Sequence, residues 1–142
     1  MSSKRNNSNL DDNFYMEQAL GLAVNNHGLT GENPSVGCVL VKNNQIISTG
    51  VTGLNGRPHA EANAIKNSLI NVHGSTLYVT LEPCNHYGKT PPCTNLIKKK
   101  KIKKVVYGIN DIDPRTSKTA KKFFKNKKIK VKDGVLSKKL NK

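Results

Sequence analysis

The chain has 142 residues, 35% of them hydrophobic, which is enough to bury one adequate core but not two. It has no apolar run long enough to cross a membrane and no leader-like start, which predicts a soluble, cytoplasmic protein without a membrane partner. The formal net charge is +15, and residues 98–142 carry all of it, with 18 Lys and Arg against three Asp. We interpret this charge as a lysine-rich solvated face, and a nucleic-acid surface is the alternative.

The N-terminal part predicts a tail followed by one helix. Residues 1–9 have little apolar content and are predicted to be a disordered tail, which leaves residues 10–142 as a single domain. The helix is predicted to begin at Asp11 or Asp12, which are suitable N-cap residues, and to end at Gly28. Its apolar residues recur at the spacing of one helix face: Met16, Ala19, Leu20, Ala23 and Val24.

The rest of the chain alternates strands and helices after an initial hairpin. The apolar runs predict strands over residues 36–41, 46–51, 76–81, 104–109 and 129–131. The helical spacing and the breaks at Gly and Pro predict helices over residues 60–70, 94–101 and 114–125. Such an order implies a mixed, mostly parallel five-stranded sheet in a three-layer α/β fold. Ligands bind at the carboxyl ends of strands in such sheets.

One histidine, one glutamate and two cysteines have the residue types of a catalytic zinc site. Zinc is borderline-soft and binds imidazole and thiolates well, so His59, Cys84 and Cys93 are predicted ligands that leave a fourth position for water. Glu61 lies about 200° around the helix from His59, at 3.6 residues per turn, and can reach over that water. It is the predicted catalytic proton carrier of a hydrolytic deaminase. The start of the helix at Cys93 predicts a thiolate there.

Two other interpretations of the cysteines stay open at this point. A structural zinc site would use four protein ligands, with His86 as the fourth. A disulfide between Cys84 and Cys93 is the third choice, which a reducing compartment disfavours. The catalytic site is preferred because a structural site has no use for Glu61 beside His59.

Together, these motifs resemble a known family. His59-Ala60-Glu61, Pro83-Cys84 and Cys93 resemble the signature of the cytidine-deaminase superfamily, which usually has two residues between the cysteines. This chain has eight, and the longer spacing resembles the diaminohydroxyphosphoribosylaminopyrimidine deaminases of riboflavin biosynthesis. The resemblance extends over nearly all of the chain, from Met16-Glu17-Gln18-Ala19-Leu20 to Gly134-Val135-Leu136.

The resemblance implies a fold, an activity and a substrate. The implied fold is a three-layer α-β-α cytidine-deaminase-like fold with a five-stranded mixed sheet. The implied activity is that of a zinc hydrolase with one Zn2+ per chain. It would convert 2,5-diamino-6-(5-phosphoribosylamino)pyrimidin-4(3H)-one to 5-amino-6-(5-phosphoribosylamino)uracil and ammonia in riboflavin biosynthesis. The residues implied to bind this small phosphoribosylated pyrimidine are Asn33, His86, Lys89, Thr90, Asp111 and Asp113.

The resemblance assigns those residues to three parts of the substrate. His86, Lys89 and Thr90 are implied to hold the phosphate. Asn33 is implied to contact the pyrimidine or ribose edge, and Asp111 with Asp113 the ribose. A lysine charge, a hydroxyl and turn amides suit a phosphate dianion.

Three features depart from the family pattern. Thr52 lies where the family often has His, and Asp113 lies where it commonly has Asn. Most members continue into a C-terminal reductase domain, whereas this sequence stops at Lys142, so we expect a stand-alone deaminase with the reduction done by a separate protein or on a removed segment.

Two alternative functions remain: a tRNA or polynucleotide base deaminase of the same fold, and a non-catalytic zinc-stabilised binding module. The spacing of the cysteines counts against a nucleic-acid substrate, and a homo-oligomer is compatible with the sequence.

Overall fold

The computed structural model of the protein describes residues 3–31, 34–88, 90–111 and 117–136. The elements in these ranges are α1 (Ser3–Asn25), β1 (Gly37–Lys42), β2 (Gln45–Val51), α2 (Ala60–Asn67), β3 (Thr76–Leu81), α3 (Cys93–Lys99), β4 (Lys104–Ile109), α4 (Thr119–Asn126) and β5 (Lys130–Lys132). A 3-10 turn, Leu54–Gly56, lies between β2 and α2. Within the described part of the chain, no helix combines the length and the apolar character needed to cross a membrane.

The five strands form one mixed sheet in the order β2-β1-β3-β4-β5. β1 pairs antiparallel with both β2 and β3, whereas β3, β4 and β5 run parallel. The predicted five-stranded mixed sheet is therefore confirmed. Because β3 and β4 run parallel, their carboxyl ends meet at one edge of the sheet, which is where such folds bind ligands.

Helices cover both faces of the sheet. On one face, Cys38 and Leu40 of β1 belong to a buried cluster that includes residues of α2, α3 and α4. On the other face, Val39 and Val41 pack in a cluster with Met16 of α1. Alternate residues of one strand thus point to opposite layers, as the period of a strand requires. The three-layer α-β-α fold is confirmed.

The bounds of the first two helices differ from the predictions. α1 begins at Ser3, so the structure has helix over residues 3–9, where the sequence predicts a tail. Once a helix is nucleated, each further residue adds one hydrogen bond at little cost, so a polar segment can extend it. α2 ends at Asn67 instead of residue 70, because the Ser68 hydroxyl bonds the backbone of Ile70. Such local bonds compete with a helix, and Leu69, which lies just past the end of α2, is 98% exposed.

The two C-terminal elements both begin later than predicted. α4 begins at Thr119 instead of residue 114, which lies outside the described residues, because residues 117 and 118 form a turn in which Lys118 has a left-handed φ of 64°. Phe124 of α4 is fully buried, and Phe123 packs against the same core. β5 lies one residue later than predicted.

The backbone of α2 packs directly on β2 at Gly50. A Cβ atom at this position would overlap the backbone at Ala60 and Ala64. We expect Gly50→Ala to lower the free energy of unfolding by about 1–3 kcal/mol, because α2 would have to move away from the sheet. Urea denaturation followed by circular dichroism measures this change.

Gly21 is the matched control for this prediction. It lies inside α1, and a Cβ there would meet no atom within 4 Å. Gly21→Ala should therefore stabilise the protein by about 0.5–1 kcal/mol, through the better helix propensity of alanine. Equal effects of the two substitutions would show that α2 does not depend on close contact at Gly50.

Candidate active site

Three chain segments bring the predicted metal ligands together at the carboxyl edge of the sheet. His59 is the N-cap of α2, Cys84 follows β3, and Cys93 begins α3. The Nδ1 atom of His59 lies 3.4 Å from the Sγ atom of Cys93 and 3.7 Å from that of Cys84. The three ligand atoms all lie within 4.8 Å of one another. The structure therefore places side by side the three residues that the sequence predicts as ligands.

The geometry of this cluster fits zinc. Zinc bonds of about 2.1 Å to nitrogen and about 2.3 Å to sulfur, at a tetrahedral angle, put the two ligand atoms about 3.6 Å apart. The observed nitrogen–sulfur distances, 3.4 and 3.7 Å, lie on either side of that value. Both cysteines are free thiols, so the structure does not contain the disulfide. Among the described residues, His86 does not belong to this cluster. The alternative of a structural zinc site with four protein ligands therefore lacks its predicted fourth ligand.

The contact between the two sulfurs shifts the pKa values of Cys84 and Cys93 in opposite directions. The Cys93 side chain hydrogen-bonds Cys84, and this contact, with further bonds from His59 and the Cys93 backbone, lowers the pKa of Cys84 to about 4. The backbone N–H of Cys93 donates to the Cys84 sulfur over 3.2 Å. The same sulfur contact, together with burial, raises the pKa of Cys93. The first backbone N–H of α3 therefore points at the sulfur of Cys84, while a thiolate at Cys93 stays a prediction that belongs to metal binding.

Glu61 lies beside the cluster on the first turn of α2. Its side chain is buried, and it lines the same cavity as His59 and Cys84. Burial, and after it the charge of Cys84, raises the pKa of Glu61 to about 7. A carboxyl group with a pKa near neutrality can both accept and donate a proton.

The cavity has a volume of about 240 Å3 and contains two of the predicted substrate residues. His86 and Asp111 line it. Thr90 is exposed near it, and its hydroxyl accepts a hydrogen bond of 3.1 Å from Nη1 of Arg57, which also lines the cavity. The remaining three predicted residues lie outside the described part of the chain: Asn33, Lys89 and Asp113.

Thr52, which replaces the histidine common in the family, has a positioning contact. It is buried and lines the cavity. Its hydroxyl accepts a bond of 2.9 Å from the N–H of Val36 and donates one of 3.3 Å to the carbonyl of Pro34. Thr52 therefore fixes the position of Pro34 and Val36, which precede β1 and line the cavity.

Sequence reasoning missed Glu82. This residue is 2% exposed and its carboxylate accepts three backbone N–H groups, from Asp111 at 3.0 Å, Lys118 at 2.9 Å and Ala120 at 3.0 Å. It thereby fixes the end of β4 and the start of α4 beside the cavity. The sequence contains a signal that could have found Glu82. A charged residue directly after a buried strand needs hydrogen-bond partners inside the protein.

Comparison with known proteins decides the family. A profile described as the cytidine and deoxycytidylate deaminase zinc-binding region matches residues 10–109. The chain belongs to this family. It is a hydrolytic deaminase, as the curated relatives are.

Two similar proteins are named as deaminases of a phosphoribosylaminopyrimidine. The deaminase is 45% identical, over 91% of its length and 88% of the relative's, to a diaminohydroxyphosphoribosylamino-pyrimidine deaminase of Buchnera aphidicola. Among solved structures, a deaminase and 5-amino-6-(5-phosphoribosylamino)uracil reductase of Thermotoga maritima matches with a TM-score of 0.86 and 40% identity. That match covers 94% of this chain but only 39% of the other. A structure from a study of tRNA:A34 deaminases matches less well, with a TM-score of 0.66 and 25% identity over 90% of this chain and 96% of the other.

The contacts of Glu82 predict a loss of stability when its charge is removed. In Glu82→Gln, one carboxylate oxygen is replaced by an NH2 group, which cannot accept a hydrogen bond. At least one of the three buried N–H donors therefore loses its acceptor. We expect the free energy of unfolding to fall by about 1–3 kcal/mol. Thermal and urea denaturation of the deaminase measure this change.

Asp133→Asn is the matched control, since it also neutralises a carboxylate. Asp133 forms a half-exposed ion pair with Lys121 at 3.4 Å. Exposed pairs contribute about 0–1 kcal/mol, so this variant should unfold nearly as the parent does. A Glu82→Gln protein as stable as the control would contradict the importance of the three bonds.

Proposed function

We propose that this deaminase converts 2,5-diamino-6-(5-phosphoribosylamino)pyrimidin-4(3H)-one to 5-amino-6-(5-phosphoribosylamino)uracil and ammonia, a step of riboflavin biosynthesis. The observation that carries the reaction type is the cluster of His59, Cys84 and Cys93 next to the buried Glu61. The substrate is supported by the name of the Buchnera relative, which matches over 91% of this chain.

In this proposal, His59, Cys84 and Cys93 bind one Zn2+ per chain. Zinc held by three protein ligands lowers the pKa of a water molecule in the fourth position towards 7 and so supplies a nucleophile near neutral pH. The carboxylate of Glu61 accepts a proton from the attacking water and donates it to a ring nitrogen of the pyrimidine. The same carboxylate then takes the remaining proton from the hydroxyl added to the ring carbon and gives it to the amine, which leaves as ammonia as the carbonyl forms. Its raised pKa, about 7, suits both directions of transfer.

The cavity suits the pyrimidine ring, with the phosphoribosyl arm towards its rim. Its volume, about 240 Å3, is smaller than the roughly 300–1,000 Å3 of pockets that enclose a drug-sized ligand. We assign His86, Lys89 and Thr90 to the phosphate, Asn33 to the pyrimidine or ribose edge, and Asp111 with Asp113 to the ribose. His86 and Asp111 on the cavity wall, and Thr90 near it, support this assignment.

The alternative of a tRNA or polynucleotide base deaminase has weaker support. The structure from the tRNA deaminase study is 25% identical to this chain, compared with 45% for the Buchnera relative. We also propose that a reductase consumes the product. The name of the Thermotoga maritima relative supports this, since it joins the deaminase to a reductase of 5-amino-6-(5-phosphoribosylamino)uracil.

The decisive experiment is incubation of the zinc-loaded protein with the diaminopyrimidine phosphate while ammonia release is followed. We expect turnover by the parent protein and a loss of at least about 100-fold in kcat in Glu61→Gln, because the amide cannot carry the proton. Zinc content and the circular dichroism spectrum should not change.

Glu17→Gln is the control, because it makes the same chemical change on an exposed part of α1. It should retain the activity of the parent. Absence of ammonia release by the parent would refute the proposed substrate. Full activity in Glu61→Gln would refute the role of Glu61.

Lys89 tests the assignment of the phosphate arm. Lys89→Ala removes a positive charge from the loop between the cysteines, so we expect a KM about 10-fold higher for the phosphorylated substrate. Zinc content, measured by atomic absorption, should stay at one ion per chain. An unchanged KM would remove Lys89 from the phosphate site.

A further inference from the structure

Arg57 is a cavity residue to which the proposed function gives no role. It lies two residues before His59 and lines the cavity together with Glu61 and His86. Its Nη1 atom donates a hydrogen bond of 3.1 Å to Oγ1 of Thr90, 33 residues further along the chain. A guanidinium group therefore lies at the cavity, in contact with a hydroxyl that the proposed function assigns to the phosphate.

The turn between β2 and α2 fixes the backbone of Arg57. The N–H of Gly53 donates to the carbonyl of Pro58 over 2.8 Å, and the N–H of Gly56 donates to the carbonyl of Gly53 over 2.8 Å. A Cβ atom at Gly53 would overlap the backbone of Arg57, so only glycine permits this close approach. The segment that carries Arg57 is therefore held in place before any ligand binds.

The charges around the cavity make Arg57 distinctive. Three of the described lining residues carry carboxyl groups: Glu61, Glu82 and Asp111. Among the described lining residues, Arg57 is the only Lys or Arg. A phosphate dianion would be repelled by the carboxylates on the wall, so it is best placed where the guanidinium lies.

We propose that Arg57 binds the phosphate of the substrate and makes this deaminase selective for the phosphorylated pyrimidine. This inference rests on the proposed function. The planar guanidinium has five donors in a fork that matches phosphate oxygens, and one of these donors contacts Thr90. The guanidinium and the Thr90 hydroxyl, 3.1 Å apart, can contact oxygens of the same phosphate group.

The test compares two substrates in steady-state kinetics: the diaminopyrimidine phosphate and its dephosphorylated riboside. For Arg57→Met, we expect KM for the phosphorylated substrate to rise about 10- to 100-fold, because a charge-assisted contact is lost. The kcat value and the KM for the riboside should not change. Arg57→Lys keeps a charge without the planar fork, so it should recover part of the loss.

Lys66→Met is the control for the loss of one positive charge. Lys66 is exposed in the last turn of α2 and is not among the cavity residues, so both KM values should stay at those of the parent. Thr90→Val is a second comparison, because it removes the partner of Arg57 while keeping the guanidinium. Its KM for the phosphorylated substrate should rise less than that of Arg57→Met.

The outcomes separate this inference from the function on which it rests. If the parent releases no ammonia from the phosphorylated substrate, the proposed function fails, and the inference fails with it. If the parent is active, two results overturn the inference alone: an unchanged KM in Arg57→Met, or an equal rise for both substrates. Zinc content and circular dichroism check folding, and Arg57→Gln replaces Arg57→Met if the latter does not fold.

Discussion

The convergence of two sulfurs on one imidazole nitrogen, at 3.4 and 3.7 Å from it, is the constraint on which the rest of the site depends. It requires the start of α2, the end of β3 and the start of α3 to meet at one edge of the sheet. Backbone contacts maintain this arrangement: the N–H of Thr94 donates to the carbonyl of Cys84 over 3.2 Å, which closes the loop between the cysteines. A hydrogen bond of 2.7 Å from the Thr94 hydroxyl to Asn85 strengthens the closure.

Two buried glutamates beside this cluster show how environment decides what a side chain can do. Three backbone N–H groups surround the carboxylate of Glu82, so it joins strand and helix ends as a fixed acceptor. Glu61 is also buried, but desolvation and the negative charge of Cys84 raise its pKa to about 7. The carboxylate of Glu82, which accepts hydrogen bonds from backbone N–H groups, positions the cavity wall. The carboxyl group of Glu61 can exchange a proton near neutral pH. Paired carboxyl groups in enzymes often differ in this way.

The sequence predicts those features that depend on local pattern and on residue type. The order of strands and helices, the mixed sheet and the candidate ligands His59, Cys84 and Cys93 follow from periodicity and from the chemistry of zinc. The features that sequence misses depend on contacts between distant segments. Glu82 bonds Lys118, 36 residues away, and the contact between Arg57 and Thr90 spans 33 residues. The periodicity of apolar residues along the sequence does not predict such pairs.

The residues that we assign to the reaction and those that we assign to substrate choice also differ in how much the regular elements fix their positions. The ligands and Glu61 lie where regular elements begin or end, so the sheet and helices fix their geometry. The groups that we assign to the phosphate lie on two loops, one before α2 and one between the cysteines. The hydrogen bond from Arg57 to Thr90 joins these loops without involving the cluster. In the proposed function, substitutions of Arg57 or Thr90 should therefore act first on binding of the phosphate, because the bond between these two side chains includes no residue of the cluster.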